Sequence, residues 1–195
     1  LGVIGTNQTG ARSRGLHLHS TLAVTGEGLP LGVLRAECTA PPPKTEGDAR
    51  PTYAIPIEAK ETFCWIQAQR DCVAVAAAMP QTRLLSVMDR EADFFELFDE
   101  QRRHPRVDLL VRAKHDRTLT PPPGKLFAAV RQAPIQTHVR VQIPRQSARP
   151  KRSKQHARPQ RAARPAELAV RYQAVQLRPP PYHQDKPLIP LRVLH

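Results

Sequence analysis

The sequence predicts a mixed α/β fold followed by a basic, β-rich region. Residues 84–88 form a short apolar run typical of a buried strand, and residues 91–103 have helical spacing. Residues 107–115 form a second apolar strand, so this part of the chain is predicted to be a βαβ unit. Farther along, the pattern changes to alternating strands with excess positive charge. We therefore predict one domain at residues 1–118 and a second at residues 119–195.

The amino-terminal part is predicted to contain a hairpin and a helix. Residues 1–15 are rich in Gly and polar residues and are predicted to be a loop. Two apolar runs, residues 16–24 and 31–35, flank a Gly-containing turn, as in a β-hairpin. After a Pro-rich connection, residues 58–79 have the spacing of a helix, which ends at Pro80.

Three side chains in this part have both a functional and a structural interpretation. His17 and His19 lie on the same face of the predicted strand and suggest a metal pair, but two ligands without a third do not make a site. A structural or surface role is therefore favoured. Trp65 has the chemistry to stack on a base, but a single Trp in an amphipathic helix is more often packed against the core.

The composition of the chain favours a negatively charged binding partner. The net charge is +13 and the isoelectric point is about 10.6, which favours a polyanion, with nucleic acid as the default candidate. An anionic membrane surface is the rival, but the sequence has no apolar run long enough to cross a bilayer. The three cysteines lack the C-x-x-C spacing of a metal or redox site. We interpret them as buried free thiols of a protein in a reducing compartment.

The basic region has its highest charge density between residues 145 and 164. This segment contains eight Lys or Arg residues and no Asp or Glu, which is typical of contact with nucleic-acid phosphates. The alternative is a solvated, disordered loop without a specific ligand. The two interpretations are compatible, because a flexible basic arm adds affinity without sequence information. The predicted phosphate contacts are Arg149, Lys151, Arg152 and Lys154.

The candidate catalytic residue follows the first strand of the βαβ unit. Asp89 stands at the carboxyl end of that strand, where open α/β sheets bind ligands, and Arg112 follows the second strand. If the two strands are parallel neighbours, both side chains emerge at one edge. Asp89 is interpreted either as a ligand of a divalent metal or as a helix N-cap, with Glu91 and Asp93 near the positive end of the helix dipole. Residue chemistry alone favours the cap.

The five residues Asp89-Arg90-Glu91-Ala92-Asp93 resemble the D-R-E-A-D box of bacterial cut-and-paste transposases of the DDE type. These are insertion-sequence enzymes with a ribonuclease H-like catalytic core. The resemblance covers nearly the whole chain. Residues 1–24 are similar to the family's second core strand, and residues 60–66 to the start of the helix before the box. Residues 109–115 are similar to the strand after it, and the basic tail to the family's inserted β-subdomain.

The resemblance implies a fold, a cofactor and a set of site residues. The fold is a ribonuclease H-like mixed sheet with helices and an inserted antiparallel β-subdomain. Asp89 matches the second catalytic carboxylate, a ligand of Mg²⁺ or Mn²⁺, and Arg112 matches a basic residue close to the transposon-end DNA. Lys114 and His115 are given weaker DNA-binding roles. The remaining residues of the box, Arg90, Glu91 and Asp93, are expected to support the site rather than ligate metal.

Departures from the family pattern affect the expected activity. The strand with the first catalytic Asp would precede residue 1, and neither Tyr172 nor Tyr182 begins the family's Tyr-x-x-x-Glu pattern. One carboxylate of three is therefore matched, and the sheet is expected to lack its central strand. We expect an internal, inactive part of a transposase, whose complete form is a homodimer acting on double-stranded DNA in the bacterial cytoplasm. The alternative is a non-enzymatic basic nucleic-acid-binding protein.

Overall fold

The chain folds into a mixed α/β structure, as the sequence predicts. The computed structural model describes residues 2–6, 11–40, 51–121, 124–150 and 156–195, which contain three α-helices and ten β-strands. The strands form several small sheets. The chain divides into a first unit, residues 1–115 with 180–182, and a second unit, residues 116–179 with 183–195. Each unit is described separately below.

The first unit begins with two antiparallel strand pairs. Strands β1 (Gly2–Thr6) and β2 (Arg12–Gly15) pair with each other, so the prediction of a loop over residues 1–15 is wrong. Strands β3 (His17–Val24) and β4 (Pro30–Thr39) form the predicted hairpin. In its turn, Gly28 adopts a φ of 89°, a conformation that residues with a Cβ rarely take. The hairpin prediction is confirmed.

One long helix provides much of the core of the first unit. Helix α1 (Phe63–Ala78) lies within the predicted range of 58–79, and short 3₁₀ turns precede it. Its buried face includes Ile66, Cys72 and Ala76. All three cysteines are free thiols, but Cys72 is buried, Cys64 is partly buried and Cys38 is exposed, so the prediction of buried thiols is wrong for Cys38.

The predicted βαβ unit is present in the first unit. Strands β5 (Leu84–Met88) and β6 (Val107–Val111) are parallel and in register, from Leu84 opposite Val107 to Met88 opposite Val111. Helix α2 (Phe95–Arg103) connects them and buries Leu97 against the core. The helix begins four residues later than predicted, because residues 90–92 form a 3₁₀ turn and the backbone of Phe94 is extended.

The strands of the first unit do not form the single mixed sheet that the resemblance implies. Among the described residues, β3–β4 and β5–β6 are separate two-stranded sheets, and no described strand joins them. The faces of β5 and β6 that do not contribute to the core expose Leu85, Val87 and Leu110.

The second unit is organised around one long strand. It contains β7 (Leu119–Thr120), α3 (Leu126–Gln132), β8 (Ile135–Ile143), β9 (Arg164–Leu177) and β10 (Ile189–Leu194). β9 pairs antiparallel with β7, β8 and β10. Its carboxyl-terminal half contributes to a small core, while its amino-terminal half pairs with β8 alone in the described part of the chain. The predicted alternating strands are confirmed. The buried core residues of this unit are Leu119, Leu126, Val130, Ala133, Val175, Leu177 and Ile189.

Candidate functional site

Asp89 and Arg112 emerge side by side at the carboxyl edge of the parallel pair. The backbone N–H of Arg112 donates to the carbonyl of Met88 at 3.1 Å, which continues the pairing one residue beyond β6. Arg112 Nη1 lies 3.6 Å from Asp89 Oδ1, and the two side chains are 73% and 60% exposed. The prediction that parallel pairing brings these two residues together is confirmed.

The carboxylate of Asp89 does not cap a helix. Asp89 occupies the N-cap position of the 3₁₀ turn at residues 90–92, but its side chain makes no capping hydrogen bond. The backbone carbonyl of Asp89, not the carboxylate, accepts the N–H of Ala92 at 2.9 Å. Among the described residues, Arg112 is the one partner of this carboxylate. The interpretation of Asp89 as a cap is therefore wrong, and its oxygens face solvent.

The buried side chain of Asp93 holds the backbone of this edge in place. It is buried, with 6% of its surface exposed, and its Oδ2 accepts the backbone N–H groups of Lys114 at 2.6 Å and His115 at 2.9 Å. Hydrogen bonds to a carboxylate are shorter and stronger than neutral ones. Asp93 therefore ties the loop before α2 to the chain after β6, and the contacts are those of a residue that supports the site.

The remaining charged groups of this edge form loose, exposed ion pairs. Lys114 Nζ lies 3.0 Å from Glu91 Oε2, and Arg90 Nε lies 3.7 Å from Glu91 Oε1. His115 is exposed as well. Exposed pairs of this kind contribute about 0–1 kcal/mol each. The cations at the edge can therefore exchange a carboxylate partner for a phosphate at little cost.

The residues of this edge do not make a divalent-metal site by themselves. Mg²⁺ takes six oxygen ligands, and a two-ion site needs several carboxylates. Asp93 is buried and engaged by two backbone N–H groups, which leaves Asp89 and Glu91 as the exposed carboxylates of this edge, each in an exposed ion pair. In the part of the chain that the structure describes, no group of three or more His, Cys, Asp or Glu residues is placed to hold a metal. No metal-dependent step follows from these residues alone.

His19 and Trp65 contact each other in the first unit. Their ring centroids are 4.6 Å apart and their planes are nearly perpendicular, and Trp65 also packs against the core cluster of α1. Burial lowers the pKa of His19 below its ordinary value, against the opposing effect of Glu37. The packing interpretation of Trp65 is therefore confirmed. His17 and His19 lie in no group with a third metal ligand among the described residues.

The formal charge is divided unequally along the chain. Residues 1–115 contain 14 Lys or Arg and 14 Asp or Glu, whereas residues 116–195 contain 16 Lys or Arg and 3 Asp or Glu. The whole net charge of +13 therefore belongs to the last 80 residues. Arg149 is exposed on an extended part of the second unit. The other three predicted phosphate contacts, Lys151, Arg152 and Lys154, lie outside the described residues.

The sequence does not reveal that several of these cations lie on a paired, extended backbone. Gln146 pairs with Arg161, and Arg149 pairs with Arg158, in a segment whose sequence has no strand periodicity. Arg recurs there at every third residue, at Arg158, Arg161 and Arg164, a spacing that does not match the strand period of two. An open groove of about 530 Å³ lies elsewhere in the second unit, between β7, β9 and β10, and none of the predicted site residues lines it.

Comparisons with known proteins do not assign the chain to a family. No protein-family model matches it, and no curated protein is significantly similar to it in sequence. None of the helices in the described ranges has the length and apolar character needed to cross a membrane.

Proposed function

We propose that this chain is part of a DDE-type DNA transposase with a ribonuclease H-like core, and that it binds duplex DNA without cutting it. The observation that supports the proposal is the exposed, non-capping carboxylate of Asp89 beside Arg112, at the carboxyl edge of a parallel βαβ unit. Ligand and catalytic groups of open α/β sheets occupy this position. The residues around it carry the D-R-E-A-D sequence.

The contacts of the edge suit a phosphate rather than a neutral ligand. Arg112 offers a planar set of N–H donors that matches phosphate oxygens, and its pairing with Asp89 is loose and exposed. Lys114 adds a second exposed cation, because its pair with Glu91 is also on the surface. In this proposal, a DNA phosphate takes both cations from their carboxylates. Arg90 and His115 flank the same edge and contribute to the field.

The complete enzyme is proposed to cleave and join DNA strands at transposon ends with Mg²⁺ or Mn²⁺, as a homodimer in the bacterial cytoplasm. Asp89 is the one metal ligand that the described residues contribute. Its partners would come from outside these residues. This chain by itself is therefore expected to bind duplex DNA with strong salt dependence and to leave it uncut.

The test compares two arginines at opposite ends of the same strand pair. Arg83 lies at the amino edge, where its Nε is 2.7 Å from Asp108 Oδ2, and it is as exposed as Arg112. Each phosphate contact contributes about 0.9 to the slope of log K against log salt. We expect Arg112→Ala to lower the magnitude of this slope by about 0.9, and Arg83→Ala to leave it unchanged. Fluorescence anisotropy with a labelled duplex over a range of salt concentrations measures both.

A non-enzymatic nucleic-acid-binding protein is the second candidate function. The observation that favours it is the division of charge, because the first unit is formally neutral and all excess charge lies after residue 115. In that case Arg112→Ala and Arg83→Ala both leave the slope unchanged. A third result would refute the expected lack of cleavage: Mg²⁺-dependent nicking of the duplex that disappears in Asp89→Ala.

A further inference from the structure

The hairpin of the second unit extends beyond β8 and β9. Gln146 and Arg161 exchange both backbone hydrogen bonds, at 2.9 and 3.0 Å, and Arg149 and Arg158 do the same at 2.9 Å each. These pairs keep the register in which Ile143 lies opposite Arg164. Residues 137–149 and 158–170 therefore form one two-stranded ribbon, which we call the basic ribbon. At about 3.3 Å per residue it is about 40 Å long.

Prolines set the spacing of the pairs in the outer part of the ribbon. Pro144 and Pro159 lie between paired positions and Pro150 lies next to one, so their missing N–H groups do not interrupt the outer pairs. Backbone pairs consequently recur at every third residue there. Pro165 lies opposite Gln142, where β9 begins. Prolines and positive charges on an edge prevent another strand from joining it. A partner of the ribbon is therefore bound through side chains and not by strand addition.

The charged side chains of the ribbon are almost all arginines, and those of its outer part lack local counter-charges. The basic ribbon contains six Arg residues and one acidic residue, Glu167, which lies opposite Arg140 in the inner part. In the outer part, all residues from 144 to 149 and from 158 to 165 are exposed. No described carboxylate forms an ion pair with these outer arginines, which are Arg145, Arg149, Arg158, Arg161 and Arg164.

The spacing of these arginines matches a nucleic-acid duplex. Three residues of an extended strand advance about 10 Å, and three base pairs of a duplex advance about 10 Å along its axis. Arg158 and Arg161 both direct their N–H and C=O groups to the facing strand, so the backbone there repeats every three residues, as in polyproline II, and not every two. Arginines at that spacing, Arg158, Arg161 and Arg164, therefore lie on one side of the ribbon and advance in step with every third base pair when the ribbon lies along the duplex. The major groove of B-DNA admits a two-stranded β-ribbon. The guanidinium fork is suited to phosphate oxygens.

We infer that the basic ribbon is a duplex-binding arm, which lies along a groove and contacts successive phosphates through Arg158, Arg161 and Arg164. The inference rests on the proposed function only in taking DNA as the duplex. Its contacts are with the backbone of the duplex, so the arm supplies affinity and orientation without sequence preference.

The test removes equal charge from two places in the second unit. The ribbon variant carries Arg158→Gln, Arg161→Gln and Arg164→Gln, and the control carries Arg131→Gln, Arg178→Gln and Lys186→Gln. With a 30-base-pair duplex, we expect the ribbon variant to lower the magnitude of the salt slope by about 2.7, at about 0.9 per phosphate, and the control to lower it by less than about 1. An equal loss in both variants would overturn the inference, because the charge would then act only diffusely.

Two further measurements separate a loss of duplex contacts from a failure to fold and from general binding of nucleic acid. A triple Arg→Lys variant at the same three positions retains the charge and is expected to keep most of the slope, which also covers the case in which the Gln variant does not fold. A single-stranded oligonucleotide of equal length should lose less binding than the duplex in the ribbon variant. An equal loss would contradict the match to a duplex.

The outcomes separate this inference from the proposed function. If Arg112→Ala has no effect and the ribbon variant lowers the salt slope, the inference about the arm is supported and the proposed site at Asp89 and Arg112 is wrong. If Arg112→Ala lowers the slope and the ribbon variant does not, the inference about the arm is wrong while the proposed function stands.

Discussion

The two units use the same charged side chains in opposite ways. In the first unit, cations and carboxylates are equal in number and many of them form ion pairs: Arg70 Nε lies 2.7 Å from the buried Glu100, and Arg35 lies 3.0 Å from Asp71. In the second unit, the outer arginines of the basic ribbon have no such partners among the described residues. Balanced charge holds elements of a fold together, whereas unbalanced charge attracts a polyanion. The difference separates residues whose loss should reduce stability from residues whose loss should reduce binding.

The largest expected effect on stability is the loss of a buried carboxylate in the first unit. Asp93→Ala leaves the N–H groups of Lys114 and His115 without their acceptor, and each hydrogen bond to a charged group contributes about 1.5–3 kcal/mol. We expect the free energy of unfolding to fall by about 3 kcal/mol, as measured by urea denaturation. Asp93→Asn, which keeps one acceptor oxygen, should cost less. An unchanged unfolding midpoint in Asp93→Ala would contradict the stabilising role of these two hydrogen bonds.

Acid should weaken the first unit through Glu100. Arg70, followed by Arg103 and His104, holds the pKa of this carboxyl below its ordinary value of 4.5, while burial opposes the shift. Because the folded-state pKa is lowered, the stabilisation is complete above about pH 4.5 and is lost as pH falls through the folded-state value. We expect Glu100→Gln to reduce stability by about 2 kcal/mol at pH 7 and to flatten the acid limb of a pH titration of stability. A parallel acid limb in the variant would refute this role.

A single arginine of the ribbon should show the reverse behaviour. Arg161→Gln removes an exposed side chain without a described ion pair, so stability should change by no more than about 0.5 kcal/mol. The slope of log K against log salt should fall by about 0.9. Thermal unfolding and anisotropy on the same preparation test both statements. A large loss of stability would mean that the ribbon belongs to the core.

The smallest expected effect concerns Lys114, a cation of the first unit that we assign to binding. Lys114→Ala breaks only an exposed pair with Glu91, so the expected change in stability is below about 0.5 kcal/mol. Duplex affinity should fall by a small factor, whereas Arg83→Ala should leave it unchanged. If Lys114→Ala and Arg112→Ala both have no effect, the division between a structural first unit and a binding second unit is complete, and the proposed site is wrong.

Much of the fold follows from side-chain periodicity, and the exceptions have a common cause. The hairpin of β3 and β4, helix α1 and the parallel pair of β5 and β6 are all visible in the pattern of apolar residues. The two paired segments that the pattern does not reveal, β1–β2 and the outer ribbon, are composed largely of Gly, Pro, Ala and Arg. Their pairing is made by backbone hydrogen bonds, with no apolar face to produce a period of two.

The candidate site was predictable where topology decides it. The proximity of Asp89 and Arg112 follows from two parallel strands that end at the same edge. The late start of α2 was not predictable, because Asp89, Glu91 and Asp93 look like the acidic first turn of a helix. Asp93 instead accepts hydrogen bonds from residues 21 and 22 positions farther along the chain. No local pattern shows a contact of that sequence separation.

The position of the two hydrogen bonds that Asp93 accepts also has a mechanical consequence. The two N–H groups that it holds belong to the last two residues before the second unit begins at Asp116. A force applied to the chain beyond that point reaches two short, charge-assisted hydrogen bonds before it reaches the ladder between β5 and β6. We therefore expect movements of the later chain to leave the spacing of Asp89 and Arg112 unchanged until these two hydrogen bonds break.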